Sequence, residues 1–195
     1  MLFRSTKSGT TPLSHIARTD GHSFTALGRG LDDRPLALSV FDGELYAGGN
    51  FTMAGGQIAG RLAKWNGTTW TPTGSGMNGT VGCFCAFDDG LGGGPALYAG
   101  GQFSSAIGVP GTIHIAKWNG SVWSSVGGGV NDEVNTMTVF DDGSGPALFA
   151  GGQFTLAGNV SVMHIAKWNG TSWSAYGVLG ANAPEIGRAS CRERV

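Results

Sequence analysis

The chain has 195 residues, of which 36 are glycine; 13% are charged and the formal net charge at pH 7 is −1. Glycine is well above its usual share of about 7%, and charged residues are about half as common as usual. This composition is too apolar for a disordered chain and too neutral for binding nucleic acid or anionic membranes by charge. The sequence contains no apolar run long enough for membrane insertion. We therefore expect many short strands joined by tight turns.

The first 30 residues divide into two parts. Residues 1–14 are expected to be a poorly ordered leader, because they carry a basic start without the apolar core of a secretory signal. Residues 15–30, HIARTDGHSFTALGRG, align with residues 61–76, RLAKWNGTTWTPTGSG, and are interpreted as the end of a partial repeat unit.

Two motifs then recur three times along the chain. The first is L-[YF]-A-G-G-x-F and the second is [HR]-[IL]-A-K-W-N-G-x-x-W. Their copies are Leu45–Phe51, Leu97–Phe103 and Leu148–Phe154 for the first, and Arg61–Trp70, His114–Trp123 and His164–Trp173 for the second. We infer three repeat units of about 50 residues, at 31–76, 77–126 and 127–177, with residues 178–184 starting another.

Each unit contains four strand signals. The first strands are predicted at Leu36–Phe41, Val81–Phe87 and Val134–Phe140, the second and third lie in the two motifs, and the fourth is T-x-W or its variants. Asp42-Gly43 suits a two-residue type I′ turn between the first two strands. If the Asn-Gly turn is also a two-residue turn, Trp118 faces Ser121, and Trp123 is a diagonal neighbour of Trp118. The Gly-Gly pair is expected to allow close backbone approach.

The Gly-Gly strand, followed by two aromatic residues around a short turn, resembles the kelch repeat. The chain departs from kelch in having Trp65, Trp118 and Trp168 where Tyr is usual, and only four residues between the two aromatics. The fuller pattern is similar to tandem repeats of large secreted or surface proteins of planctomycete-type bacteria, and to repeats of the fungal cortical polarity-marker family. This resemblance, which covers residues 16–180, implies an extracellular or cell-surface module and transfers no catalytic residue.

The resemblance implies an all-β fold, a kelch-like β-propeller built from four-stranded antiparallel blades of about 50 residues. About 3.5 blades are present, and closed rings take about 4–8 blades, so we expect an incomplete ring and a chain that is a fragment. Exposed strand edges would then favour self-association. The last segment, Glu185–Val195, resembles translated sequencing-adapter sequence and is predicted to be a non-native tail, together with Cys191. The two remaining cysteines, Cys83 and Cys85, should share one face of a strand and are interpreted as small buried thiols.

Several residues could in principle bind metal ions. His15, His114 and His164 share one repeat position with Arg61, and packed or hydrogen-bonded histidines are the favoured interpretation. The Asp88-Asp89-Gly90 and Asp141-Asp142-Gly143 segments lack the spaced ligands of a calcium loop, so they are predicted to be turns.

Six Asn-x-Ser/Thr sequons, the acceptor sequence for N-glycosylation, begin at Asn50, Asn66, Asn78, Asn119, Asn159 and Asn169.

We find no catalytic motif in the sequence and predict no cofactor, no metal site and no enzymatic activity. Variable loops follow the second strand at Thr52–Gly60, Ser104–Thr112 and Thr155–Met163. They are nearly free of ionisable groups, which favours a non-catalytic module that binds a protein or glycan ligand, or serves structural display. The alternative is a fragment of a propeller enzyme acting on polysaccharide.

Overall fold

A computed structural model describes residues 7–8 and 11–177, with side chains from residue 13 onward. The described residues form strands and no helix, and therefore no helix that could cross a bilayer. The strands are β1 (Lys7–Ser8), β2 (Thr11–Pro12), β3 (Ala17–Thr19), β4 (Phe24–Ala26), β5 (Pro35–Phe41), β6 (Glu44–Gly49), β7 (Met53–Ala54), β8 (Gln57–Ile58), β9 (Leu62–Trp65), β10 (Trp70–Pro72), β11 (Thr80–Phe87), β12 (Ala96–Gln102), β13 (Ile115–Trp118), β14 (Trp123–Ser125), β15 (Val134–Asp141), β16 (Pro146–Gly152), β17 (Leu156–Ala157), β18 (Val160–Ser161), β19 (Ile165–Trp168) and β20 (Trp173–Ala175).

Three four-stranded antiparallel sheets account for the repeats. Their strand orders are β5-β6-β9-β10, β11-β12-β13-β14 and β15-β16-β19-β20, and we call them the first, second and third sheets. The all-β fold and the four predicted strands of each unit are confirmed. The partial unit contributes the hairpin β3–β4, and in the predicted leader β1 pairs with β2 while Leu13 is buried. The predictions for residues 178–184, 185–195 and Cys191 lie outside the described residues.

The two predicted turn types have different outcomes. Asp42 and Gly43 have φ angles of 50° and 73°, and Phe41 pairs with Glu44, so the type I′ interpretation is confirmed. The Asn-Gly turn is not of the two-residue type, because Trp118 pairs directly with Trp123 across a four-residue loop. Trp118 therefore does not face Ser121. The side chain of Asn119 causes the difference: its Oδ1 accepts hydrogen bonds from the N–H groups of Ser121 and Val122, at 3.0 and 2.9 Å, and holds the longer loop.

The sheets pack face to face in chain order. The first strand of the second sheet, β11, lies against the first strands of both neighbours, β5 and β15. Three apolar clusters fill the spaces between the β3–β4 hairpin and the successive sheets. The second tryptophan of each unit also donates its indole N–H to a carbonyl of the preceding unit: Trp70 to Leu27 at 2.9 Å, Trp123 to Thr73 at 3.2 Å and Trp173 to Val126 at 2.9 Å. Each tryptophan thus links two units by packing and by a hydrogen bond.

The Gly-Gly pair serves two different close contacts. A Cβ on the second glycine, Gly101, would lie 2.2 Å from the carbonyl oxygen of Thr80 on the neighbouring strand. A Cβ on the first, Gly100, would lie 2.8 Å from a methyl group of Val134 in the third sheet. The predicted backbone approach therefore applies to the second glycine, whereas the first makes room for the next sheet. Nearby, Cys83 and Cys85 face the same apolar cluster, Cys85 buried and Cys83 half-buried.

Candidate functional site

One edge of the three sheets carries the variable loops predicted from the sequence. In an antiparallel meander, the connection from second to third strand and the connection into the next unit emerge at the same end of the sheet. Two of the three loops contain a short hairpin of their own, β7–β8 and β17–β18, and the loop at 104–112 contains an isolated bridge between Ala106 and Val109. We call this edge the loop face.

A polar side chain before each first strand clamps the start of each loop. Asp32 accepts hydrogen bonds from the N–H groups of Thr52 and Met53, both at 2.8 Å, and from the Thr52 hydroxyl at 2.7 Å. Asn78 and Asn131 do the same in the second and third units, with their Oδ1 atoms accepting two backbone N–H groups each at 2.8 to 3.0 Å. The loops therefore begin in one fixed conformation.

One residue per unit joins adjacent loops. The N–H of Met77 donates to the carbonyl of Gly60 in the first loop at 2.7 Å, while Met77 pairs with Ala106 of the second loop. The N–H of Val130 likewise donates to Ile113 at 3.1 Å, and Val130 pairs with Ala157. Because each connection contacts the loop before it and the loop of its own unit, the three loops lie side by side as a continuous surface.

The loop face presents apolar side chains to solvent. Ile58, opposite Met53 in the first hairpin, is 81% exposed, and exposed large apolar residues recur in the other two loops. In the first loop Met53 is also exposed, and the exposed residues of the second and third loops are Ile107, Leu156 and Met163. Exposed apolar residues on adjacent loops are a candidate surface for contact with another protein.

The first clamp carries a charge that the other two lack. Partial burial acts to raise the pKa of Asp32, but the hydrogen bonds from Met53 and Thr52 outweigh it, so the pKa lies below its ordinary value. Asn78 and Asn131 cannot titrate, so only the first loop has an acid-sensitive clamp among the three.

The opposite edge carries lysine–carboxylate pairs. Lys64 contacts Glu44 at 2.6 Å, Lys167 contacts Asp142 at 2.7 Å, and Lys117 pairs with Asp89. The hydrogen bond from Lys167, followed by that from Ser144, lowers the pKa of Asp142 to about 2. These carboxylates hold the connection between first and second strands onto the third strand, in agreement with the turn interpretation of both Asp-Asp-Gly segments.

Three of the four histidines lie at one repeat position, where the first unit has Arg61. Like Arg61, they have positive φ, between 59° and 67°, in the turn before the third strand: His15, His114 and His164. The Nδ1 of His114 lies 3.1 Å from the carbonyl oxygen of Gly101, within hydrogen-bond distance. Among the described residues, no group of three or more His, Cys, Asp or Glu side chains could hold a metal ion together. All three therefore share one backbone conformation at this turn, and His114 has a hydrogen-bond partner there.

The sequons have local roles at several positions. Asn66 and Asn169 each accept two backbone N–H groups in the loop of their own unit that is equivalent to the Asn119 loop. Asn50 accepts a hydrogen bond from the hydroxyl of Thr80 at 2.8 Å. The clamp residues Asp32, Asn78 and Asn131 were missed as a set by sequence reasoning. Their signal was present: an Asp or Asn before each first strand, with a Thr or Ser two residues after each Gly-Gly-x.

Comparison with known proteins adds no family to this description. No protein-family model matches the chain, and no curated protein is significantly similar to it.

Proposed function

We propose that this chain is part of a kelch-like β-propeller that acts outside the cell or at its surface as a non-catalytic binding module, with the loop face as its binding surface. The propeller arrangement is supported by the stacking of four-stranded sheets through their first strands, β5, β11 and β15. The repeated indole hydrogen bonds between units support it further. The extracellular location follows from the resemblance of the repeats.

The observation that carries the binding function is the exposed apolar surface on clamped loops. Ile58, Ile107 and Leu156 come from three consecutive units and project from one edge. The loops at 52–60, 104–112 and 155–163 contain no aromatic residue that could stack on a sugar ring. A protein surface is therefore the favoured ligand, and a glycan is the alternative.

An array that carries both extracellular protein domains and glycans tests this proposal. The chain is probed beside a triple variant, Ile58→Ser, Ile107→Ser and Leu156→Ser, which removes the exposed apolar groups and keeps the clamps. Each side chain contributes about 1 kcal/mol when it is covered, so we expect the triple variant to lose protein binding by about tenfold or more.

The matched control is Val122→Ser. Val122 is 59% exposed and lies on the opposite edge, in the loop between third and fourth strands, so this variant should bind like the unchanged chain. Binding to glycans alone would contradict the choice of ligand. Protein binding that survives the triple substitution would contradict the loop face as the binding surface.

A further inference from the structure

The loop between the third and fourth strands contains the dipeptide Asn-Gly in all three units. In the second and third units it is Asn119-Gly120 and Asn169-Gly170, and both asparagines are exposed. Asn-Gly is a reactive dipeptide because glycine has no Cβ to shield its backbone nitrogen. That nitrogen follows the asparagine directly and can close a ring with the carbon of the side-chain amide. The two copies therefore present one reactive dipeptide in two different surroundings.

Backbone donors activate the side-chain amide in both loops. The Oδ1 of Asn119 accepts hydrogen bonds from the N–H groups of Ser121 and Val122, at 3.0 and 2.9 Å. The Oδ1 of Asn169 accepts the two equivalent N–H groups at the same distances, and two hydroxyl groups of its loop in addition. Fixed donors on a carbonyl oxygen stabilise the negative charge that develops there when a nucleophile adds to its carbon. The amide of Asn169 is therefore activated at least as well as that of Asn119.

The two glycines differ in how they are covered. Gly120 is exposed, and a Cβ built there would have no atom within 4 Å. Gly170 is buried, and a Cβ built there would lie 2.6 Å from the carbonyl oxygen of Asp89 in the preceding unit. Ring closure requires the glycine backbone to move toward the side chain and requires hydroxide to remove its N–H proton. Packing against Asp89 hinders both steps at Gly170.

The length of one turn explains why only one of the glycines is covered. In the first unit a two-residue turn, Asp42-Gly43, connects the first and second strands, and a Cβ built on Gly43 would have no atom within 4 Å. In the second unit the same connection comprises residues 88–95, and it brings Asp89 over Gly170. The turn of one unit therefore controls access to the Asn-Gly loop of the next.

We infer that Asn119 is a site of spontaneous deamidation and that the fold protects Asn169 from the same reaction. The deprotonated backbone nitrogen of Gly120 bonds to the side-chain amide carbon of Asn119, and the amide nitrogen takes up a proton and leaves as ammonia. Water then opens the cyclic imide at either carbonyl, which leaves aspartate or isoaspartate in place of the asparagine. The net reaction consumes one water and releases one ammonia, without an oxidant or reductant. This inference is independent of the loop face and of its ligand.

The two products affect the hairpin differently. Aspartate retains an oxygen that accepts the same N–H groups, so it preserves the loop. Isoaspartate lengthens the main chain by one carbon atom, which disturbs the pairing of Trp118 with Trp123. Because the indole of Trp123 donates to the carbonyl of Thr73 at 3.2 Å, the isoaspartate form weakens the link between the first and second units.

Ageing of the full chain, followed by peptide mapping with mass spectrometry, tests the inference. The chain is incubated at about pH 6 and about pH 9, both below the ordinary lysine pKa of about 10.4, so that the ion pairs remain formed. We expect deamidation at Asn119 to be about tenfold or more faster than at Asn169, because misplacement of reacting atoms by about 1 Å costs up to about 100-fold. The rate at Asn119 should rise with hydroxide concentration, since the glycine nitrogen must first lose its proton.

The same incubation in guanidinium chloride is the matched control. Both dipeptides follow Lys-Trp and precede a hydroxyl residue, so in the unfolded chain they should react at similar rates. Asn119 should react at least as fast in the folded chain as in the unfolded chain, because its two N–H donors are held in place only by the fold. Equal rates at Asn119 and Asn169 in the folded chain would overturn the inference, as would a slower reaction of Asn119 in the folded chain than in the unfolded chain.

Exchange of the covering turn provides the reciprocal test. Replacing residues 88–95 by the Asp-Gly of the first unit keeps Phe87 paired with Ala96 and removes the segment that lies over Gly170. The rate at Asn169 should then approach that at Asn119. A variant that keeps the circular dichroism of the chain but leaves Asn169 protected would overturn the protective role of the turn. If the variant does not fold, the two sites of the unchanged chain still decide.

Discussion

The second and third sheets carry the same aromatic pair on the same face, but the two pairs differ in how far they are covered. Phe87 and Tyr98 of the second sheet lie beneath the third sheet and are 4% and 0% exposed. At the equivalent positions of the third sheet, Phe149 packs against Tyr176 at 4.8 Å, whereas Phe140 remains 53% exposed. Phe149 is 6% exposed because the third unit's own Tyr176 covers it. At the position shared by Phe87 and Phe140, by contrast, burial depends on the neighbouring sheet.

The largest effect expected from this comparison is at the phenylalanine pair. Phe87→Ala removes a buried ring and leaves a cavity, which should lower the free energy of unfolding by about 3–5 kcal/mol. Phe140→Ala removes an exposed ring at the same repeat position and should cost less than about 1 kcal/mol. Urea unfolding of both variants measures the difference. Equal losses would show that the face of the third sheet is covered in solution.

The first glycine of the Gly-Gly pair offers a second comparison. A Cβ at Gly100 would meet Val134 and the sulfur of Cys83, both at 2.8 Å, whereas at Gly151 the nearest atom is a Thr136 methyl carbon at 3.2 Å. Gly100→Val should therefore destabilise the chain by about 1–3 kcal/mol or more, and Gly151→Val by less.

Lys117→Ala is the control for this glycine comparison, because it removes a lysine side chain that is 23% exposed from an ion pair in the same sheet and causes no overpacking. Its effect on the urea midpoint should be smaller than that of Gly100→Val. A Gly151→Val variant as unstable as Gly100→Val would contradict the role of the neighbouring sheet.

The smallest expected effect concerns the loop clamps. Since the pKa of Asp32 is lower in the folded chain than its unfolded value of about 3.9, its stabilising contribution is complete above about pH 5 and is lost as the pH falls through the folded pKa. Amide exchange at Thr52 and Met53, corrected for its intrinsic pH dependence, should show loss of protection in acid, while protection at Ser104 and Ser105 beside Asn78 is retained.

Asp32→Asn serves as the matched control for the clamp, because it gives the first loop the same uncharged residue as the other two. The protection at Thr52 should then become independent of pH in this range. Acid-induced opening that persists in this variant would mean that another group controls the first loop.

Comparison of the repeat units with one another predicted the strands well, because the same pattern occurs three times in the chain. The period-2 apolar runs and the strand-borne Gly-Gly placed the first and second strands of the three sheets, and the A-K-W and T-x-W segments placed the third and fourth. Asp42-Gly43 fixed its turn through the φ angles that it accepts. The two-residue interpretation of the Asn-Gly turn did not hold, because the same dipeptide also fits a longer loop once the Asn side chain caps two backbone N–H groups. Local dipeptide preference does not distinguish these two loops.

The clamps and the indole hydrogen bonds between units depend on contacts between residues that are far apart in the sequence. Asp32 reaches Thr52 across 20 residues, and the indole of Trp123 reaches Thr73 across 50. By itself, the sequence determined the repeat, its strands and the faces on which its aromatic residues lie, because these follow from backbone periodicity. Only the tertiary structure decided which copies of a face are covered and which, like that of Leu45 and Trp65, remain open, because burial depends on the sheet that packs alongside.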